Sequence, residues 1–190
     1  MRIYIDLDNT LVNPVTDILG SVLAILPRPG AEEFLSKLSR DGDIWLLTAA
    51  TRGHANNALD VLAPVSRKFR GIISIEDMEP VKEQLDVILN DQALTVDDQV
   101  HLWNQIRPLF PPGVMFDDYP VGSWMYLLKA ASLGIPPDKW IQVEHFGNGK
   151  ADNGGLKKAY AEFRKRFPNL LYMDGTQRRR KPRSGTMQRA

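Results

Sequence analysis

Ile3-Tyr4-Ile5-Asp6-Leu7-Asp8-Asn9-Thr10-Leu11 is a short apolar run that ends in two aspartates and then a threonine. Consecutive Ile, Tyr and Ile predict a strand covered on both faces, because a strand with one wet face alternates apolar and polar residues. Asp6 and Asp8 then stand at the carboxyl end of that strand. In an open parallel sheet ligands bind at that edge, so acids placed there are candidates for chemistry. Two carboxylates so close repel unless a cation or proton intervenes, and hard oxygen ligands suit Mg²⁺. A plainer reading is open at this point, with Asp8-Asn9 as a turn and Thr10 as a helix cap.

Further strands follow in order. Asp43-Ile44-Trp45-Leu46-Leu47-Thr48-Ala49-Ala50 is apolar until Thr48, a residue whose hydroxyl can donate to a phosphoryl oxygen without adding charge or which, as a β-branched residue, simply finishes the strand. Residues 71–75, 114–120 and 140–146 read as three more strands, the second of them tipped by the carboxylate pair Asp117-Asp118. Helices are expected over 31–40, 51–62, the stretch through Leu85, Ile88 and Leu89, 121–133 and 156–167. Residues 14–27 place Val15, Ile18, Leu19, Val22, Leu23 and Leu26 at helical spacing, as a short amphipathic helix or a flap over the first strand's end. Residues 95–110 read as an extra helix. Strands alternating with helices predict an α/β, Rossmann-like doubly wound sheet of about five parallel strands with helices on both faces and no large cap domain.

The composition, 43% hydrophobic and 25% charged over 190 residues, is that of one ordinary domain with enough apolar content for a core. The absence of cysteine excludes disulfides, zinc–thiolate sites and cysteine nucleophiles. No apolar stretch reaches membrane-spanning length and an aspartate at position 6 interrupts any signal-like run, so a cytoplasmic protein without membrane contact is expected. Residues 1–175 form the expected domain. Residues 176–190 carry six cations and no acid; against a net charge of +1 for the chain, they leave the body at −5. That basic tail is expected to be disordered, either a solvated terminus or a contact for nucleic acid or an acidic partner.

Asp6-Leu7-Asp8-Asn9-Thr10 resembles the first motif, Asp-x-Asp-x-Thr, of the haloacid dehalogenase (HAD) superfamily. The strand ending at Thr48 resembles the second motif, and Asp117-Asp118 the fourth. The resemblance implies that Asp6 is a nucleophile and Asp8 a general acid/base. It further implies a Mg²⁺ ion held by Asp6, Asp8 through its backbone carbonyl, and Asp117. Thr48, Ala49 and Lys82 would meet the phosphoryl oxygens, with Thr10, Asp118 and Arg52 nearby. Lys82 fits the third motif by its strand, loop and helix context, with Arg107 and His101 as alternatives closer in sequence to the second acidic pair. Lys150 or Asp152, in the polar loop 147–155, is a further candidate.

Arg28-Pro29-Gly30-Ala31-Glu32-Glu33-Phe34-Leu35, with the strand to Thr48 and Ala49-Ala50, resembles the FCP/SCP (NLI-interacting factor) phosphatase branch. Asp-Asp-Tyr-Pro stands here where that branch has Asp-Asn-Ser-Pro or Asp-Asp-Ser-Pro, and Asn-Thr stands for Glu-Thr, so a protein substrate does not carry over. The expected activity is Mg²⁺-dependent hydrolysis of a phosphomonoester through an aspartyl-phosphate. A site without a cap suits a phosphate on a nucleic-acid end, a nucleotide or a phosphoprotein. The other class of reading is a non-catalytic binding or regulatory module on the same scaffold, holding a partner with its basic tail.

Overall fold

The computed structural model describes residues 1–63, 65–90, 105–147, 152 and 154–168. Five strands, β1 (Arg2–Ile5), β4 (Asp43–Leu47), β5 (Ile72–Ile73), β6 (Val114–Asp117) and β7 (Trp140–Gln142), form one sheet in the order β5-β4-β1-β6-β7. Every pairing in it is parallel. Tyr4 lies opposite Trp45 on one side and Met115 on the other, so β1 is central. Strand order reverses between β1 and β6, and the loops leaving these two strands part there to open a crevice.

Side chains of β1 alternate between two layers. Ile3 and Ile5 enter one core with α1 (Ala31–Asp41), α2 (Arg52–Val61) and α5 (Gly155–Arg166). Tyr4 enters the other with α3 (Ile75–Asn90) and α4 (Trp124–Leu133). Both faces are covered, which is why β1 tolerates an unbroken apolar run. In the first layer Phe116 packs edge-on against Phe34, centroids 5.3 Å apart, and tilted against Phe163 at 5.4 Å. The doubly wound sheet expected from the sequence is the one observed. No helix among the described residues is long and apolar enough to cross a membrane.

Residues 14–27 are not a helix. They lie in an antiparallel hairpin of β2 (Val12–Thr16) and β3 (Val22–Pro27). Pro14 has no N–H to give a helix, and the Asp17 carboxylate accepts from the Leu19 and Ser21 amides at 2.8 Å, closing a turn that Gly20 completes at φ +83°. The apolar stripe that looked helical is largely left in solvent, with Ile18 101%, Leu19 85% and Leu23 68% exposed. The helix reading therefore does not hold, and the segment is a β-hairpin leaving the end of β1. Most of the helix expected over 95–110 falls outside the described residues, as does the tail 176–190.

Arg28, at the end of the hairpin, is buried and ties three segments together. Its guanidinium donates to Asp152 Oδ1 at 2.8 and 3.0 Å and to the Thr10 carbonyl at 3.2 Å, and its amide donates to the Leu11 carbonyl. Gly30, at φ +81°, then turns the chain into α1.

Candidate active site

Asp6 continues β1 by one residue, its amide donating to the Phe116 carbonyl at 2.8 Å. The chain then folds back tightly. The Leu11 and Val12 amides both donate to the Leu7 carbonyl, and Asn9 takes a left-handed φ of +58°, a conformation its short polar side chain tolerates. The turn places both Asp6 and Asp8 on a cleft of about 300 Å³ whose walls also include Thr48, Ala49, Tyr119 and Met125. Thr48 is buried at the end of β4, where its Oγ1 accepts from the Ala50 amide at 3.1 Å, leaving the hydroxyl proton for another acceptor.

The end of β6 brings in the second acidic pair. One carboxylate oxygen each from Asp6, Asp117 and Asp118 lie within 4.8 Å of one another, all three residues buried. An all-oxygen donor set of this kind suits a hard divalent cation such as Mg²⁺. Asp8, assigned to the metal through its backbone carbonyl, contributes no carboxylate to this group; Asp118 does. Thr10 Oγ1 donates to Asp118 Oδ1 at 3.4 Å, and His145 Nδ1 lies 2.7 Å from Asp118 Oδ2.

The cation beside the nucleophile position is Lys129 of α4. Its Nζ donates to Asp6 Oδ1 at 2.8 Å and to Asp117 Oδ2 at 2.6 Å, and its side chain is fully buried. Lys82, the sequence candidate, lies apart from these groups: it bonds Glu79 and Asp86 on its own helix at 3.4 and 3.1 Å. The acids at i−3 and i+4 of an exposed helix face capture its ammonium. Arg52 is likewise committed elsewhere, to Asp77 and the Ile72 carbonyl, while Arg107 is exposed. His101 and Lys150 fall outside the described residues, and Asp152 partners Arg28. His54, on the first turn of α2, puts Nε2 at 2.8 Å from Asp8 Oδ1.

Burial pushes the Asp6 carboxyl well above the usual carboxylate range; Lys129 opposes this, while Asp117 and Asp118 add to it. Burial raises Asp117 in the same way, again against Lys129. For Lys129 burial works downward, but Asp6 and Asp117 outweigh it and hold the ammonium above its ordinary value. The centre thus has more buried negative charge than one lysine balances, a deficit that a divalent cation would fill.

Sequence reasoning located Asp6, Asp8, Thr48, Ala49 and the Asp117-Asp118 pair, and the fold brings them together. It missed Lys129, whose signal was a lone lysine in the otherwise uncharged helix Trp-Met-Tyr-Leu-Leu-Lys-Ala-Ala-Ser-Leu. It also missed His145, which sits just beyond the short strand β7.

Paired acids after β1, a hydroxyl after β4, acids after β6 and a buried lysine between them stand together at the carboxyl edge of a Rossmann-like parallel sheet. The chain belongs to the NLI interacting factor-like phosphatase family, whose model matches residues 2–106. That match takes in Asp6, Asp8 and Thr48 and ends before Asp117 and Lys129. No curated protein matches the chain. Among solved structures it is similar to Fcp1, described as an essential RNA polymerase II CTD phosphatase, at 16% identity and a TM-score of 0.48, over 90% of this chain and 51% of that one. A variant of the fission yeast Fcp1 bound to beryllium fluoride aligns at 15% identity and a TM-score of 0.43, over 90% and 53% of the two chains. This chain spans about half the length of both.

Proposed function

We propose that the chain hydrolyses phosphomonoesters with Mg²⁺ through an aspartyl-phosphate on Asp6. The observation that carries this reading is the position of Asp6: on the cleft, held by Lys129 at 2.8 Å, with Asp8 and Thr48 on the same walls. An Asp6 oxygen attacks phosphorus as the bond to the leaving oxygen breaks, and Asp8 delivers a proton to that oxygen. Asp8 then takes a proton from water as the water oxygen attacks the phosphorus, which frees Asp6 and releases inorganic phosphate. Thr48 and Lys129 meet the charge spread over the phosphoryl oxygens. Asp6, Asp117 and Asp118 would hold Mg²⁺, which, when bound, supplies further positive charge to that group.

The hairpin rises directly from the Asp8 turn and offers exposed Ile18, Leu19 and Leu23. That exposed apolar surface beside the site favours a phosphate on a polypeptide over a nucleic-acid end or nucleotide. The test is hydrolysis of 4-nitrophenyl phosphate with Mg²⁺ and with EDTA, beside Asp6→Asn. Mg²⁺-dependent turnover that the variant lacks, with the variant still folded at the assay temperature, is the expected result. Full activity in Asp6→Asn would sink the mechanism.

A further inference from the structure

His54 makes a contact that the reaction just described does not use. Thr51 caps α2, its side chain accepting from the His54 amide, which fixes the first turn of the helix beside the Asp8 loop. From there Nε2 reaches Asp8 Oδ1 at 2.8 Å, with the imidazole side chain 18% exposed. Oδ2 of Asp8 has no hydrogen-bond partner among the described residues. One oxygen is therefore held and the other is left to the cleft. We propose that His54 is a positioning residue for Asp8, fixing its carboxyl so that Oδ2 meets the leaving oxygen. This deepens the phosphatase reading and rests on it.

The geometry separates this role from simple helix support. With Nε2–H as the donor, Oδ1 accepts whether or not Oδ2 carries a proton, so the contact survives transfer of the Asp8 proton to the leaving oxygen and its later recovery from water. A carboxyl free to rotate would still be present but would reach the leaving oxygen less often, and misplacement of an acid is costly to the rate. That cost falls only on leaving groups that need a proton. An alkoxide needs one as the P–O bond breaks, whereas nitrophenolate departs without it. The reading used is kcat/KM, which runs only as far as release of the leaving group and so excludes the later hydrolysis of the aspartyl-phosphate.

The experiment compares a serine-phosphate peptide with 4-nitrophenyl phosphate in wild type, His54→Ala and His54→Gln. The Gln side chain carries an amide to about the position of Nε2. The expected result for His54→Ala is a fall in kcat/KM of about 10–100-fold on the peptide and less than about threefold on the aryl ester. His54→Gln should recover most of the loss. Equal losses on both substrates, or none on either, would overturn the role of His54 while leaving the phosphatase reading in place. Absence of turnover on both substrates in the wild type would overturn the two together.

Discussion

Lys129 is held in the interior by charge, since Asp6 and Asp117 together outweigh the cost of burying its ammonium. Breaking a buried pair by removing one partner typically costs about 3–5 kcal/mol, because the other is left charged and dry. In Lys129→Met the two aspartates face each other without a cation, so the metal-free variant should lose stability of that order at neutral pH. The pH dependence has a definite sign. Burial raises Asp6 in the fold above its unfolded value of about 3.9, so the folded state binds more protons and stability falls as pH rises through that window. Lys129 opposes the rise, so without it the fall is steeper and extends higher. Urea unfolding in EDTA should show a small gap between wild type and variant near pH 4.5 and the full gap near pH 7.5. A gap independent of pH would mean that Lys129 acts by filling space alone. The sequence hid this residue for a reason of the same kind: a lysine inside an apolar helix has no local signature of its partners, which lie on β1 and β6. Asp6, Asp8 and Thr48 were legible because each sits where an apolar strand ends, a feature visible without any long-range contact.

At the scale of elements, the places of strands and helices along the chain followed from the apolar runs, whose lengths and flanking turns are local, whereas the order of the strands in the sheet comes from the fold. The hairpin did not, because Val15, Ile18, Leu19, Val22, Leu23 and Leu26 satisfy a helical period while Pro14, Asp17 and Gly20 decide the backbone. Hydrophobic spacing predicts a helix only when a core exists to receive the stripe, and much of this stripe faces solvent. That exposure makes the hairpin testable as a docking element. The triple variant Ile18→Ser, Leu19→Ser, Leu23→Ser removes little buried area, so its unfolding free energy should stay within about 0.5 kcal/mol of wild type. Turnover of 4-nitrophenyl phosphate should be unchanged. For a serine-phosphate peptide with apolar neighbours, kcat/KM should drop about tenfold, equivalent to about 1.4 kcal/mol of binding. An unchanged peptide rate would confine recognition to the cleft itself.

For the molecule as a whole, the sheet joins at one point residues as distant as Asp6 and Lys129, 123 positions apart. The turn at the end of β1, the tip of β6 and the buried face of α4 meet there, and Arg28 locks the first of these to Asp152, just before α5. A cation bound among Asp6, Asp117 and Asp118 would therefore couple to global unfolding, since no single segment holds all its ligands. An ion that binds the folded state alone adds about 2.7 kcal/mol at a concentration 100 times its dissociation constant. For a chain of this length that corresponds to a rise of about 5–10 °C in melting temperature. Scanning calorimetry of the wild type with Mg²⁺ should give such a rise, reversed by EDTA. Asp117→Asn and Asp6→Asn should lose most of it, because each removes one of three charged donors. The same substitutions also relieve repulsion in the metal-free protein, so their melting temperatures in EDTA need not fall, and the decisive quantity is the Mg²⁺-induced difference within each variant. A full rise persisting in Asp117→Asn would place the ion away from the three carboxylates, and Lys129 alone would then be left to balance them.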